Sequence, residues 1–157
     1  MKSLTLLAAH NEWANRRLFE ACAALTPATL KDGSHGYASV MQILNHRGRV
    51  ENAFFELAHG RRPVWSDREV LEPLRREGAR IDRAYLEYAG EIQAEQAESV
   101  RFLVPWFGFE ISLLEGVLQP LTHSLKHRAD VSMLLPLLGG VGPDIDLIQW
   151  IAEERRA

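Results

Sequence analysis

The 157-residue chain is long enough to bury one sizeable core and short enough to be a single domain over residues 1–157. It is 46% hydrophobic and 25% charged, an ordinary globular balance, and its net charge of -3 excludes the concentrated basic surface that nucleic-acid binding requires. A single cysteine, Cys22, excludes an internal disulfide and suits a reducing cytoplasm, and no apolar run approaches the ~20 residues of a membrane span.

The apolar start, Met1 to Ala9, runs into His10-Asn11-Glu12-Trp13 without a cleavage-type site, so no signal peptide is expected. Breaks at Pro27, 32–36, 60–63, 105–108 and 139–143 divide the chain into four long segments and a short tail. The first, Ser3 to Leu25, sets Leu6, Leu7, Trp13, Leu18 and Leu25 on one broad helical stripe, and Thr26-Pro27 ends it. The second, Ser39 to His59, opens with the capping-box spacing of Ser39 and Gln42 and closes before Gly60. The third, Asp67 to Gln96, is weakened early by Pro73 and Gly78, so regular helix is expected from Leu74. Residues 99–109 alternate Val100, Phe102 and Val104 with other residues, as a small extended element or an ordered loop would. The fourth helix, Ile111 to Leu138, holds Pro120 and Pro136, each a kink or a boundary. Asp144 then caps a short terminal helix through Trp150. Four long helices with almost no strand signal predict an all-α four-helix bundle.

The chemistry lies in six histidines. His123 and His127 are four apart, which puts both rings on one helix face, a spacing that suits a shared metal ion. Pro120, Val131, Leu134 and Leu138 continue their stripe, so the pair is expected to face the interior. Burying two imidazoles is costly unless each nitrogen finds a partner. A metal is one solution, and hydrogen bonds to carboxylates or carbonyls are the other. His46, beside Ile43 and Val50, is the third candidate if its helix neighbours the fourth; otherwise it is a satisfied boundary residue. His10, His35 and His59 are weaker, the last two structural or solvent-exposed. Arg61-Arg62 and Arg75-Arg76 lie near acidic residues and read as solvated pairs.

Three runs resemble the DinB/YfiT-like superfamily of bacterial four-helix-bundle metal-site proteins. They are His10-Asn11-Glu12-Trp13-Ala14-Asn15-Arg16-Arg17-Leu18, Ser39-Val40-Met41-Gln42-Ile43-Leu44-Asn45-His46, and His123-Ser124-Leu125-Lys126-His127-Arg128. The glycines after the fourth helix, with Pro143, Asp144 and Trp150, are similar to the family ending. The resemblance implies metal ligation by His46, His123 and His127, a long crossover connection and homodimers. Characterised relatives include thiol-dependent S-transferases and a maleylpyruvate isomerase that use a low-molecular-weight thiol. The family commonly continues His-Arg-Gly-Gln, whereas this chain has His127-Arg128-Ala129-Asp130. Asp130 shares the histidine face, as a fourth ligand, an acceptor for an imidazole N–H, a general base, or a surface aspartate paired with an arginine.

Three imidazoles on a divalent ion leave an open position, the mark of catalytic rather than structural zinc. A thiol or water there attacks a small electrophile. Imidazoles suit zinc, nickel, copper and iron, with zinc and nickel foremost. Arg47, Arg49 and Arg128 are candidates to hold an anionic substrate or the thiol's carboxylate, although helical phase argues against Arg128, and surface ion pairs are the alternative for all three. The alternative is a non-catalytic dimeric bundle with a structural, adventitious or absent metal. Trp13, Trp106 and Trp150 are expected to pack, Trp65 to be exposed or at a dimer contact, and Cys22 to be a small packed residue. Asn11 and Asn15, a turn apart, are expected to hydrogen-bond across the bundle.

Overall fold

Two capping boxes set the helices that carry the histidines. In the computed structural model, which describes residues 2–156, the Ser39 hydroxyl accepts from the Gln42 N–H (3.3 Å) and the Gln42 side chain accepts from the Ser39 N–H (2.8 Å). Ser112 and Glu115 repeat the arrangement at 3.2 and 2.7 Å. Each box satisfies two backbone donors that the first helical turn leaves without partners. The elements run α1 (Lys2–Cys22), α2 (Pro27–Leu30), α3 (Val40–Ala58), α4 (Leu71–Glu91), α5 (Ala94–Ser99), β1 (Arg101–Val104), β2 (Phe109–Ser112), α6 (Leu113–Leu137) and α7 (Leu147–Glu154).

Several boundaries differ from the sequence expectation. Helix α1 stops at Cys22 rather than Leu25, and Pro27 opens the short α2, with Thr26 as its cap. Helix α4 starts at Leu71 because Pro73 falls in the first turn, where a missing N–H leaves no bond unmade. It ends at Glu91, so the expected run to Gln96 is divided between α4 and α5. Residues 101–112 form an antiparallel hairpin with Arg101 opposite Ser112 and Val104 opposite Phe109, which turns at Gly108 (φ 72°). Neither Pro120 nor Pro136 is a boundary of α6. Asp146, not Asp144, is the N-cap residue of α7, which continues past Trp150 to Glu154.

Helix α1 packs on α4 and α6, and α3 packs on α6 and α4, while α5 and the hairpin carry the crossover from α4 to α6. The outcome is an all-α bundle. Its apolar interior is in two parts. One holds Leu18, Phe19, Val40, Leu44, Leu74, Val131 and Leu135. The other holds Leu4, Ala8, Ile81, Tyr85, Leu113, Val117 and Leu121. The N-terminal part of α3 shares a cluster with the C-terminal part of α6, so these helices run antiparallel. Among the described residues, no helix is long and apolar enough to cross a membrane.

A buried polar layer separates the two clusters. Asn11 and Asn15 donate to Asp82 Oδ1 at 3.0 and 2.7 Å, and Arg128 donates to the side-chain oxygens of both asparagines. Ser124 donates to Glu51 Oε1 at 2.6 Å, and Arg47 lies 3.8 Å from Glu51 Oε2. The layer joins α1, α3, α4 and α6, and its two asparagines bond across the bundle as their spacing anticipates.

Candidate metal centre

The helical row that carries His123 and His127 on α6 faces His46 on α3. His46 Nε2 and His127 Nε2 each lie 3.2 Å from His123 Nε2, and the three ligand-capable atoms all fall within 4.8 Å of one another. Two nitrogens bound to one tetrahedral ion at ~2.0–2.1 Å are separated by about 3.3 Å. The two observed edges match that value. His46 is exposed, His123 half-buried and His127 buried, so the cluster opens to one side.

The proton inventory also fits a cation. His127 Nδ1 is 2.9 Å from Asp130 Oδ2 and donates to it. Its proton is therefore on Nδ1, and Nε2 presents a lone pair. His123 Nε2 has one in-plane position, a proton or a lone pair, yet it faces a ring nitrogen on each side. Ordinary hydrogen bonds cannot serve both contacts well, whereas three lone pairs converging on one positive charge can. Burial pushes the His123 ring down to about 4, reinforced by His127, His46, Lys126 and Arg47. Burial, followed by His127, also lowers the His46 pKa. Both rings are thereby kept neutral, the form that ligates metal. The three histidines together could hold a metal ion.

Among the described residues, Asp130 pairs with no arginine. It accepts from His127 and from the Tyr37 hydroxyl, which lies 2.7 Å from Oδ2 and 3.3 Å from His127 Nδ1. Partial burial and then the Asp130 contact push the Tyr37 hydroxyl up to about 12. Sequence reasoning missed Tyr37. It sits in the loop before α3, where no periodicity signals direction, and its side chain remains mostly exposed.

Arg47 departs from the expected anion contact or surface pair, Arg128 is turned inward as its helical phase allows, and Arg49 forms a surface pair. Arg47 is buried against Glu51 and the Phe19 ring, and Arg128 is buried against the two asparagines. Both point inward because a one-residue step on a helix turns a side chain about 100° from its neighbour. Arg49 makes a two-pronged pair with Asp67 at 2.6 and 2.7 Å. Trp65 is half-buried rather than exposed. Its ring lies so close to Gly48 that a Cβ there would approach it to 2.6 Å. Of the weaker histidines, His10 is buried with Nε2 2.9 Å from the Ile145 carbonyl, which ties the C-terminal tail to α1. His59 Nδ1 bonds the Phe55 carbonyl, and His35 is exposed. Trp13 is buried and donates to Glu153, while Trp106 packs edge-on against Phe54 with half of its surface in solvent. Cys22 is fully buried, and its thiol is pushed up to about 12 by burial.

The fold resembles the crystal structure of a DinB-like protein from Bacillus cereus ATCC 10987. The TM-score is 0.66 at 11% identity, over 86% of this chain and 90% of that one. No curated protein matches the chain. The DinB family model matches residues 1–156, and with the bundle and the histidine cluster already in place, this chain belongs to the DinB family.

Proposed function

We propose that the protein binds one divalent metal ion, zinc or nickel, on His46, His123 and His127. We further propose that the centre promotes attack of a thiol or water on a small electrophile, as an S-transferase does. The observation that carries this reading is the convergence of three ring nitrogens, two of their separations 3.2 Å and all within 4.8 Å, with His127 oriented by Asp130. When bound, such an ion makes a coordinated thiol or water more acidic.

The chain's own residues do the rest. Asp130 and Tyr37 orient His127, and desolvation together with the neighbouring cationic groups favours the neutral rings of His46 and His123. The polar layer behind them holds α3 and α6 in register through Ser124 and Glu51. A cavity of about 340 Å³ bounded by Tyr37, Gln42, Ile43, His46 and His127 gives access from one side. Three imidazoles without a carboxylate or thiolate in the set favour an open, reactive position over a closed structural one.

Elemental analysis after dialysis against zinc or nickel is expected to give close to one ion per chain. His123→Ala should abolish that binding with unchanged far-UV circular dichroism. A stoichiometry near zero, or one indifferent to His123→Ala, overturns the metal reading. Thiol conjugation to 1-chloro-2,4-dinitrobenzene should depend on the ion. Full metal binding without turnover across glutathione, cysteine and other small thiols would reduce the proposal to its binding half.

A further inference from the structure

A second cavity, of about 460 Å³, opens where the hairpin leans on the groove between α3 and α6. Its walls are Phe54, Val104, Phe107, Phe109, Ile111 and Leu118. The aromatic surface is larger than folding requires. Phe107 is 64% exposed, Phe109 55% and Trp106 52%, although Phe107 stacks on Phe109 at 5.7 Å and Trp106 meets Phe54 at 5.9 Å. The hairpin is seated on α6 at Gly116, where an added Cβ would come within 2.5 Å of the Phe102 ring. That seat fixes one wall of the cavity.

Glu115, Gln119 and Thr122 form the remaining edge. On α6, Glu115, Gln119, His123 and His127 follow one another at steps of four, so they share one row of the helix. Gln119 is therefore one turn, about 6 Å along the axis, from the metal-ligand candidate His123. The polar atoms of this edge are mostly engaged. Glu115 accepts from the Ser112 N–H, and the Thr122 hydroxyl bonds the carbonyls of Leu118 and Gln119. The Gln119 carboxamide makes no hydrogen bond to another described residue. No lysine or arginine is among the lining residues, and the one charged side chain there, Glu115, is a solvent-facing carboxylate whose Oε2 lies 4.0 Å from Arg101 on the hairpin.

Resting on the reading of the histidine triad as a reaction centre, we propose that this cavity seats the neutral aromatic or aliphatic body of the electrophile. The Gln119 carboxamide hydrogen-bonds a polar atom of the substrate, which directs its reactive end along α6 toward the triad. Volume and lining suit a small apolar ligand. The apolar walls, with no cation among the lining residues, favour a neutral ligand over an anionic one, which would lose hydration there without gaining a partner.

The test compares the neutral fluorophore N-phenyl-1-naphthylamine with its sulfonated counterpart 1-anilinonaphthalene-8-sulfonate on the full chain. The neutral probe should bind at least ten-fold more tightly. The double variant F107S/F109S should weaken it ten-fold or more while metal stoichiometry is unchanged, and His123→Ala should leave probe binding intact. In case the double variant perturbs the hairpin, Thr122→Trp fills the cavity from the exposed helix side and should also exclude the probe. In the thiol assay, kcat/KM should be at least ten-fold higher for a neutral aromatic electrophile than for its carboxylated analogue. The inference is overturned if the sulfonated probe binds as tightly, if both variants bind like the parent, or if the electrophile preference is reversed. It is equally overturned if sedimentation shows a dimer that excludes the probe and dissociates in F107S/F109S, because the hairpin would then serve a second copy. Probe binding without metal binding would instead sink the triad reading and leave the cavity standing.

Discussion

Asp82 is the carboxylate whose ionisation the fold most strongly opposes, and Asp82→Asn should expose this as a change in the pH dependence of stability. Burial and the neighbouring Glu51 raise its pKa from 3.8 to about 8, against the opposing pull of Arg47, the Asn15 hydrogen bond and Arg128. The folded protein then holds a proton that the unfolded chain has already released. Under that condition stability falls as pH rises, by up to ~1.4 kcal/mol per pH unit, beginning above pH 3.8 and levelling off past the folded pKa of about 8. Histidines complicate the lower part of this window. His10, His46 and His123 have lowered pKa values, so stability gained by their deprotonation rises with pH up to about 6.5. The clean interval is pH 6.5–8. Across it Asp82 alone should remove stability on the order of 1–2 kcal/mol, from the raised pKa above. For an m-value near ~2 kcal/mol/M this lowers the urea midpoint by roughly 0.5–1 M. The carboxamide introduced by Asp82→Asn keeps the acceptor oxygen that Asn11 and Asn15 use but has no acidic proton to lose, so the variant should lack this slope. The assay is urea unfolding of both proteins with a chelator present, so that metal linkage does not contribute. Curves that stay parallel from pH 6.5 to 8 would show that Asp82 is ionised in the native layer and that Arg47 and Arg128 outweigh its burial.

Three further outcomes follow from named contacts. Asp130→Asn removes the charge that orients the His127 ring, and it should weaken zinc or nickel binding by about 10-fold in a chelator competition, with the fold unchanged. Gly48→Ala drives a methyl into the Trp65 ring. It should destabilise by about 1–3 kcal/mol and red-shift the tryptophan emission as the indole is displaced. Cys22, buried with a thiol pushed up to about 12, should resist 5,5′-dithiobis(2-nitrobenzoate) in the native state and react once urea unfolds the chain.

What the sequence reveals about the site is what helical periodicity can carry. His123, His127 and Asp130 lie on one helix at steps of four and three, so their common face follows from the helix alone. His46 needs one further fact, that α3 and α6 are neighbours, and the family resemblance supplies it. Tyr37 is invisible because its direction is set by the loop of residues 31–39, which has no repeat to read. Arg47 departs from expectation for a related reason, whereas the helical phase of Arg128 already argues against its contact with the site. Adjacency to a ligand in sequence is not adjacency in space, and the same 100° step that aims His46 at α6 turns Arg47 toward Glu51. The hairpin stays open between two readings because four-residue strands are too short for alternation to decide.

The polar layer is legible only in fragments. Asn11 and Asn15, Arg47 and Glu51, Gly78 and Asp82, and Ser124 and Arg128 are each four apart on their own helices. Which pair meets which is a tertiary fact. Arg47 Nε and Nη1, Glu51 Oε2 and Arg128 Nε are buried without hydrogen-bond partners among the described residues, so the layer is not the most stable filling for a bundle centre. Its value lies in register. An apolar seam can slip by a turn and still bury its side chains, but a slip of α3 against α6 would part Ser124 from Glu51 and strand a buried carboxylate. His46 directly precedes Arg47, His123 directly precedes Ser124, and His127 directly precedes Arg128. The residues that forbid the slip are thus covalently next to the three rings that must meet, and the 3.2 Å edges of the cluster are held from behind by the layer.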